Sequence, residues 1–572
     1  MQIVNLTGPL SDISILKYCL SLKSEAMDQR LNHKRFNQLL QFLATLTVVV
    51  GCIGVLGSVA QAQAAEQGNS NEFKAIFDGT LDGWVGDASL WRVEGGVIIG
   101  ESTKAAPLKR NQFLVWGHGK LDDFELRLSY KISGTEKSNS GVQVRSHLAA
   151  NGHLCGYQAD IARKAGISGS LYSEKTGRGM LCWQGKSVDL AAAGKPTELP
   201  KAAATAQKLD DWNELSIVAK GTSIVVSVNG IETARFNDTS DKVNLQGLLG
   251  LQLHAGPPMK VEFKDIRLRR LKLQDKKKIV FVAGKKSHGW NKHEHHAGCL
   301  LLEKCLKAAN KETGLPVLTT VYKDGWPQDP TAFSNADTVV VFADGGKRHP
   351  LHANGEKFEH IMRDGVGLVC LHYGVEIPKG ESGQRFLDWI GGYFETDWSV
   401  NPHWEADFQK LPEHPVTRGV KPFQLRDEWY YHMRFSSKVN VTPILSALPP
   451  ASTLTRKDGP HHNNPHVRAS VLERKEPQHV AWAFVRGDGK GRGFGFTGAH
   501  FHSNWANDNA RKVVLNAIAW TAKVEIPENG IESNTPTEAE LEANQDYPKS
   551  KERANKQKRK KEKRRSDDVK TS

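Results

Sequence analysis

Residues 138–172 read SNSGVQVRSHLAANGHLCGYQADIARKAGISGSLY, and their residue types and spacing could do chemistry. In the run 141–146, Val142 and Val144 alternate with Gln143 and Arg145. In the run 155–161, Tyr157 and Ala159 alternate with Gln158 and Asp160. Successive side chains of a strand point to opposite faces, so Gln143 and Arg145 share a face, as do Gln158 and Asp160. If the two strands are neighbours, a guanidinium, two amides and a carboxylate converge on one sheet surface. Such a surface suits a polyhydroxylated ligand, whose hydroxyls need both donors and acceptors. The same alternation also describes an ordinary solvated sheet face.

A second set is built from imidazoles. His288, His293, His295 and His296 follow the apolar run KIVFVAG, and His372 with Tyr373 follows GLVCL. Glu428 and His432 lie in DEWYYHMRF, and His500 and His502 follow GFGFTG. Loops after the C-terminal ends of parallel strands meet at one sheet edge, where sites form. There His288, His295, His372, Glu428 and His500 could bind Zn²⁺ or another divalent metal. Hydrogen-bonded polar histidines are the alternative, since no HExxH spacing occurs. The loop GDGKGRG at 487–493 lacks Walker spacing and reads as a hairpin turn.

The elements that must position these groups fall into two regions. A chain of 572 residues is too long for one core. From 73 to 271 short alternating runs recur at 91–99, 124–132, 141–146, 214–218, 224–229, 248–253 and 261–268. Asp78-Gly79, Asp82-Gly83, Asn151-Gly152 and Asn229-Gly230 separate them as turns. The pattern predicts an all-β sandwich or jelly roll, with an Ala/Pro/Lys-rich surface loop at 191–207. Residues 271–278, LKLQDKKK, read as a charged linker. From 277 to 524, continuous apolar runs at 338–342 and 367–371 alternate with helical patterns at 296–311, 355–363 and 507–522. That order predicts an α/β domain with a mainly parallel sheet.

The termini differ from both. Arg30, Lys34 and Arg35 precede an apolar run at 39–60, and Ala62-Gln63-Ala64 follows it. This order reads as a signal peptide within 1–64, cleaved near Ala64 and leaving no stable membrane span; Met27 would give it a normal length. An N-terminal anchor is the other reading, since the run is long enough to span a bilayer. Residues 525–572 have few large apolar side chains and read as a disordered tail. Its segment 551–570 holds 11 basic and 4 acidic residues, half of the net charge of +14, so the folded part is only mildly basic. With no basic stripe interleaved with aromatics, nucleic acid is not an expected partner. The seven cysteines have no regular spacing, although Cys155 and Cys182 could bridge in an exported protein.

The ordered motifs FKAIFDGTLDGW, WRVEGGVIIGE, DFELRLSYKI, NSGVQVRS, GYQADI, GSLY, DWNELSIVAKG, VVSVNG, GLLGLQLHAG and VEFKDIRLRRL carry a resemblance. Residues 73–271 resemble the 3-keto-disaccharide hydrolase domain family, whose fold is similar to the concanavalin A-like lectin/glucanase sandwich. The resemblance implies cleavage of glycosides already oxidised at sugar C3, by C2 proton abstraction, elimination and hydration. That route needs a base near C2 and groups that stabilise enolate charge or protonate the leaving oxygen. Read this way, Asp160 is the candidate base, Arg145 and Gln158 orient the sugar and stabilise charge, and His254 is the candidate acid. A hydrogen-bonded strand-end histidine is the alternative for His254. Asn139, Gln143, Tyr157, Tyr172 and Gln252 are the candidate substrate-binding residues.

IVFVAG, HEHHAG, DGVGLVCLH, IGGYFETDW, HPVTRGV, DEWYYH and GKGRGFGFTGAH carry a second resemblance. Residues 277–524 resemble the ThuA-like trehalose-utilisation family, whose fold is like a class I glutamine amidotransferase. His372 falls where amidotransferases carry their nucleophilic cysteine, and Cys370 lies inside the strand, where a buried thiol is a poor nucleophile. The expectation is an exported carbohydrate-active hydrolase or lyase, with a second domain that acts on or binds related keto-sugars. The alternatives are a non-catalytic carbohydrate-binding sandwich attached to the same second domain, and a scaffold built from two degenerate enzyme folds. Oligomeric state stays open.

Overall fold

The computed structural model describes residues 72–192, 194–199, 206–437, 441–487 and 489–549. The expected leader at 1–64, residues 550–572 of the tail, and part of the 191–207 loop lie outside them. Residues 525–549 are not disordered as expected: Ile526 and Ile531 are buried in the α/β core, and Glu538–Glu542 form a short capped helix. Among the described residues, no helix is long and apolar enough to cross a membrane.

The first region is a sandwich of a ten-stranded and a seven-stranded sheet, almost wholly antiparallel. The strands of the smaller sheet that matter are β1 (Gln112–Trp116), β2 (Asn139–Leu148), β3 (Leu154–Ala162), β4 (Leu171–Glu174) and β5 (Leu248–Leu253). They lie side by side in the order β4-β3-β2-β5-β1. Val142, Val144, Tyr157, Ala159, Ile161, Leu249, Leu251 and Leu253 point inward and share one core with Leu128, Ile217, Val226, Val261 and Phe263 of the larger sheet. The alternate positions, Gly141, Gln143, Gln158, Asp160 and Gln252, therefore project from the opposite face.

The second region is α/β. Its sheet contains β6 (Lys277–Ala283), β7 (Thr338–Phe342), β8 (Gly367–Leu371) and β9 (Arg492–Phe496), which run parallel in that spatial order. Val317–Tyr322 flanks β6 in parallel, and Gln478–Val485 continues from β9 antiparallel as the expected hairpin. Every residue of β7 and β8 is buried, because helices cover both faces. Helices α1 (His295–Thr313) and α2 (Asp508–Thr521) pack on one face; Gly355–Arg363 and Glu381–Trp389 pack on the other.

Residues 271–276 form an irregular, partly exposed linker, but Lys277 and Lys278 already belong to β6. Lys278, the second residue of β6, is fully buried, with its Nζ 2.5 Å from Asp122 Oδ2 and 2.5 Å from Thr320 Oγ1. Arg270 joins the same network, 2.7 Å from Asp329 Oδ2 and 3.3 Å from Asp122 Oδ1, and Asn335 Nδ2 donates to Asp122 Oδ1 at 2.9 Å. Burial pushes the Asp122 carboxyl up, but Lys278 and Arg270 overcome it and hold it at about 2. A buried ionic network thus fastens the sandwich to the α/β domain.

Cys155 and Cys182 do not bridge: both are free and buried, and Cys182 Sγ lies 3.1 Å from the Lys186 carbonyl.

Candidate active site

The outward face of the seven-stranded sheet carries a cleft of about 650 Å³. Asn139, Gln158, Asp160, Tyr172 and His254 line it, together with Asn111, His153, Glu174, Lys109, Arg110, Lys175 and Trp183. Asp160 and His254 thus open into one space.

Register explains the floor of the cleft. Gln143 pairs with Gln158 across β2 and β3, Gly141 pairs with both Asp160 and Gln252, and Gln158 pairs with Tyr172. Gln143 Nε2 and Gln252 Nε2 both donate to Gln158 Oε1, at 2.8 and 2.7 Å. Gln158 Nε2 then donates to Asp160 Oδ1 at 2.7 Å. Each amide is oriented by the next, and the chain ends on the carboxyl, leaving Asp160 Oδ2 for a ligand. Gly141 makes room for this row: a Cβ there would lie 2.6 Å from Gln158 Cγ.

Burial pushes the Asp160 carboxyl up to about 7; the Gln158 bond opposes this, and the nearby Glu174 carboxylate adds to it. Glu174 Oε1 is 2.7 Å from His153 Nε2 and 3.4 Å from Asn111 Nδ2. The Asn111 side-chain oxygen accepts from the Ala255 backbone N–H, which fixes the strand end carrying His254. His254 Nδ1 is bonded to the Ala255 carbonyl, so Nδ1 carries the proton and Nε2 keeps its lone pair. Trp183 is 52% exposed at the cleft, an aromatic face on which a sugar ring can stack.

Two expected residues are elsewhere. A bulge interrupts the β2–β3 pairing between Val144 and His147, and Arg145 takes φ 47°. The bulge breaks the two-residue alternation, so Arg145 leaves the Gln143 face. Its guanidinium is buried against the Asp122 and Gly221 carbonyls and Asp123 Oδ1. Tyr157 points into the sandwich core, and its hydroxyl binds Asp238. Gln143 and Gln252 are fully buried and reach the cleft only through Gln158. Sequence reading passed over Glu174 and His153. Glu174 was detectable, since it lies two residues after Tyr172 on the same short strand; His153, in the turn before β3, gave no signal.

The histidines gather at the C-terminal edge of the parallel sheet. His293 Nε2 lies 3.0 Å from His500 Nδ1 and 3.2 Å from His372 Nε2. Glu428 Oε2 lies 2.8 Å from His500 Nδ1 and 3.5 Å from His372 Nε2. His293, His372, Glu428 and His500 thus form one group whose donor atoms all fall within 4.8 Å of one another. Of the expected set, His372, Glu428 and His500 are in it. His295 is not, because its Nδ1 bonds the Lys285 carbonyl at 3.1 Å at the start of α1. His288 sits at the rim, stacked on His293 with centroids 3.6 Å apart. His293 takes the place expected for those two. Cys370 is fully buried inside β8, and burial raises its thiol pKa, so no nucleophilic thiolate stands at this edge.

These observations define a two-domain protein: a β-sandwich with a polar cleft, joined to a second domain with a histidine-rich sheet edge. Residues 72–269 match the family described as 3-keto-alpha-glucoside-1,2-lyase-like domain, and residues 279–521 match the family described as Trehalose utilisation, ThuA. The chain is a fusion of these two domains. Among solved structures, a candidate glycosyl hydrolase of Parabacteroides distasonis is 19% identical, covering 35% of this chain and 100% of its own, with a TM-score of 0.24. The carbohydrate-binding module CBM66 of Bacillus subtilis is 14% identical over 34% of this chain and 97% of its own, with a TM-score of 0.24. A candidate ThuA-like protein of Bacteroides uniformis is 16% identical over 44% of this chain and 93% of its own, with a TM-score of 0.30. No curated protein matches the chain.

Proposed function

We propose that the sandwich cleft cleaves glycosides oxidised at C3 of the sugar. The observation that carries this reading is Asp160: a buried carboxyl poised near neutral pH, one oxygen tied to Gln158, on the floor of a polar cleft. A 3-ketone acidifies the C2 proton, and the Asp160 carboxylate removes it. The resulting enolate expels the C1 substituent, forming a C1=C2 double bond and restoring the ketone. His254 in its imidazolium form, with a second proton on Nε2, gives that proton to the leaving oxygen and is left with the Nε2 lone pair; His153, bonded to Glu174, is the other imidazole in reach of the cleft. Water then adds across the double bond, with hydroxyl to C1 and hydrogen to C2. Arg145 is committed to the protein interior, so Lys109, Arg110 and Lys175 are the cations left to offset enolate charge.

The carboxylates lining this cleft favour catalysis over simple tethering, although Trp183 serves either. The second domain is proposed to act on or bind related keto-sugars, and the apolar run before Ala64 to direct export.

A pH profile of 3-keto-glucoside cleavage tests the reading. Asp160 is protonated and idle below its pKa, so on the acid side kcat/KM should climb about tenfold per pH unit until about pH 7. An ascending limb that bends near the ordinary carboxylate range of about 4 would remove Asp160 as the base.

A further inference from the structure

A buried point where imidazole lone pairs face one another needs a partner that is not a proton. The Thr497 carbonyl can only accept, and His372 Nδ1 lies 2.8 Å from it. The His372 proton is therefore on Nδ1, and Nε2 presents a lone pair. His293 Nδ1 lies 3.5 Å from Asp344 Oδ1, without a hydrogen-bond partner among the described residues, while its Nε2 contacts both His372 and His500. The His293 and His372 Nε2 atoms face each other across 3.2 Å, and one proton on His293 Nε2 can serve only one of His372 Nε2 and His500 Nδ1. The Glu428 carboxylate oxygen adds a third acceptor, 3.5 Å from His372 Nε2. Nearby, the Tyr430 hydroxyl lies 3.3 Å from His372 Nε2, and His500 Nδ1 lies between His293 and Glu428. Were His500 to carry its proton on Nδ1, its buried Nε2 would be left with a lone pair, and no partner lies there among the described residues.

We propose that His293 Nε2, His372 Nε2, His500 Nδ1 and Glu428 Oε2 ligate a first-row divalent transition metal in the α/β domain. Bonds of about 2.0–2.2 Å place neighbouring ligand atoms about 3.0 Å apart at right angles and about 3.4 Å apart in a tetrahedron. The four contacts observed here, 2.8, 3.0, 3.2 and 3.5 Å, span that interval. Three imidazoles and one carboxylate suit Zn²⁺, Mn²⁺, Fe²⁺ or Co²⁺ rather than Mg²⁺ or Ca²⁺, which prefer all-oxygen sites. The outer partners follow the same logic. The Thr497 carbonyl holds the far nitrogen of His372, as it would for metal-bound imidazole, and the Asp344 carboxylate lies 3.5 Å from that of His293. Asp427 accepts from the backbone N–H groups of Ala499 and His500, at 2.8 and 3.1 Å, and fixes the third ligand's loop.

The backbone supplies an independent sign. His293 has φ 49°, His372 φ 51°, and Ala499, beside His500, φ 81°. Such conformations cost energy in non-glycine residues and persist where the surroundings require them. Here they aim three imidazoles from three separate loops at one point. His288 and His403, each more than a third exposed, pack on His293 and His500 and put the cluster within reach of solvent.

The test uses the full chain purified without a histidine tag, stripped with chelator and titrated with Co²⁺ and Zn²⁺. The parent should take up about one equivalent, and bound Co²⁺ should give visible d–d bands. His293→Asn and His372→Asn are the informative variants, because asparagine tolerates positive φ and spares the backbone. Each should weaken binding by about tenfold or more while melting as a folded protein, and His360→Asn, outside the cluster, should bind like the parent. Two results would overturn the site: a folded parent that takes up neither ion, or folded His293→Asn and His372→Asn variants that bind as tightly as the parent.

Discussion

Replacing Asp160 by asparagine should cut cleavage of a 3-keto-glucoside by about 10²–10⁴-fold, the range expected when a positioned general base is removed. The loss should fall on kcat. Asparagine is isosteric, its amide can still bond Gln158, and the neutral side chain resembles the protonated carboxyl that burial already favours. Stability should therefore hold or rise slightly, and melting curves would separate lost chemistry from lost fold. Full activity in a folded Asp160→Asn protein would assign the base elsewhere, with Glu174 the next carboxylate in the cleft.

The second large effect is on stability. Asp122→Asn should destabilise the protein by about 3–5 kcal/mol, because it leaves buried Lys278 without a counter-charge. Lys278→Met should cost less, since Asp122 would keep Arg270 and Asn335. The pH dependence has a definite sign. The Asp122 pKa is lowered on folding, so its contribution is complete above about pH 4 and lost as pH falls through about 2. Chemical denaturation of both variants at neutral pH checks the order; equal losses, or an Asp122→Asn cost below about 1 kcal/mol, would mean that the network is not what fastens the domains.

Much of this was legible in the sequence, for reasons particular to each element. Strict alternation at Val142-Gln143-Val144 and Tyr157-Gln158-Ala159-Asp160 gave the faces of β2 and β3, and the structure follows it wherever the ladder is regular. Alternation also predicts that Tyr157 is inward, and a ligand role for it conflicted with its own strand parity. Arg145 escaped because a bulge is a backbone event with no side-chain signature here. The continuous apolar runs at β6, β7 and β8 marked a sheet covered on both faces, and the helix expected at 296–311 is observed at His295–Thr313. The end of the charged stretch misled because nothing local marks Lys278 as buried; Asp122, far back in the chain, closes on it. Among His288, His293, His295 and His296, spacing could not choose, because a left-handed turn at His293 decides which ring faces His372.

The account's central claim is that cleavage begins with loss of the C2 hydrogen. It is tested most directly by running the reaction on a 3-keto-glucoside in D₂O and reading the released 3-keto-sugar by NMR, against a control without enzyme. Elimination followed by hydration must place solvent deuterium at C2 as the glycoside is consumed. A product that keeps its original C2 hydrogen, formed at the same rate, would mean direct hydrolysis at C1 and would contradict the mechanism built on Asp160.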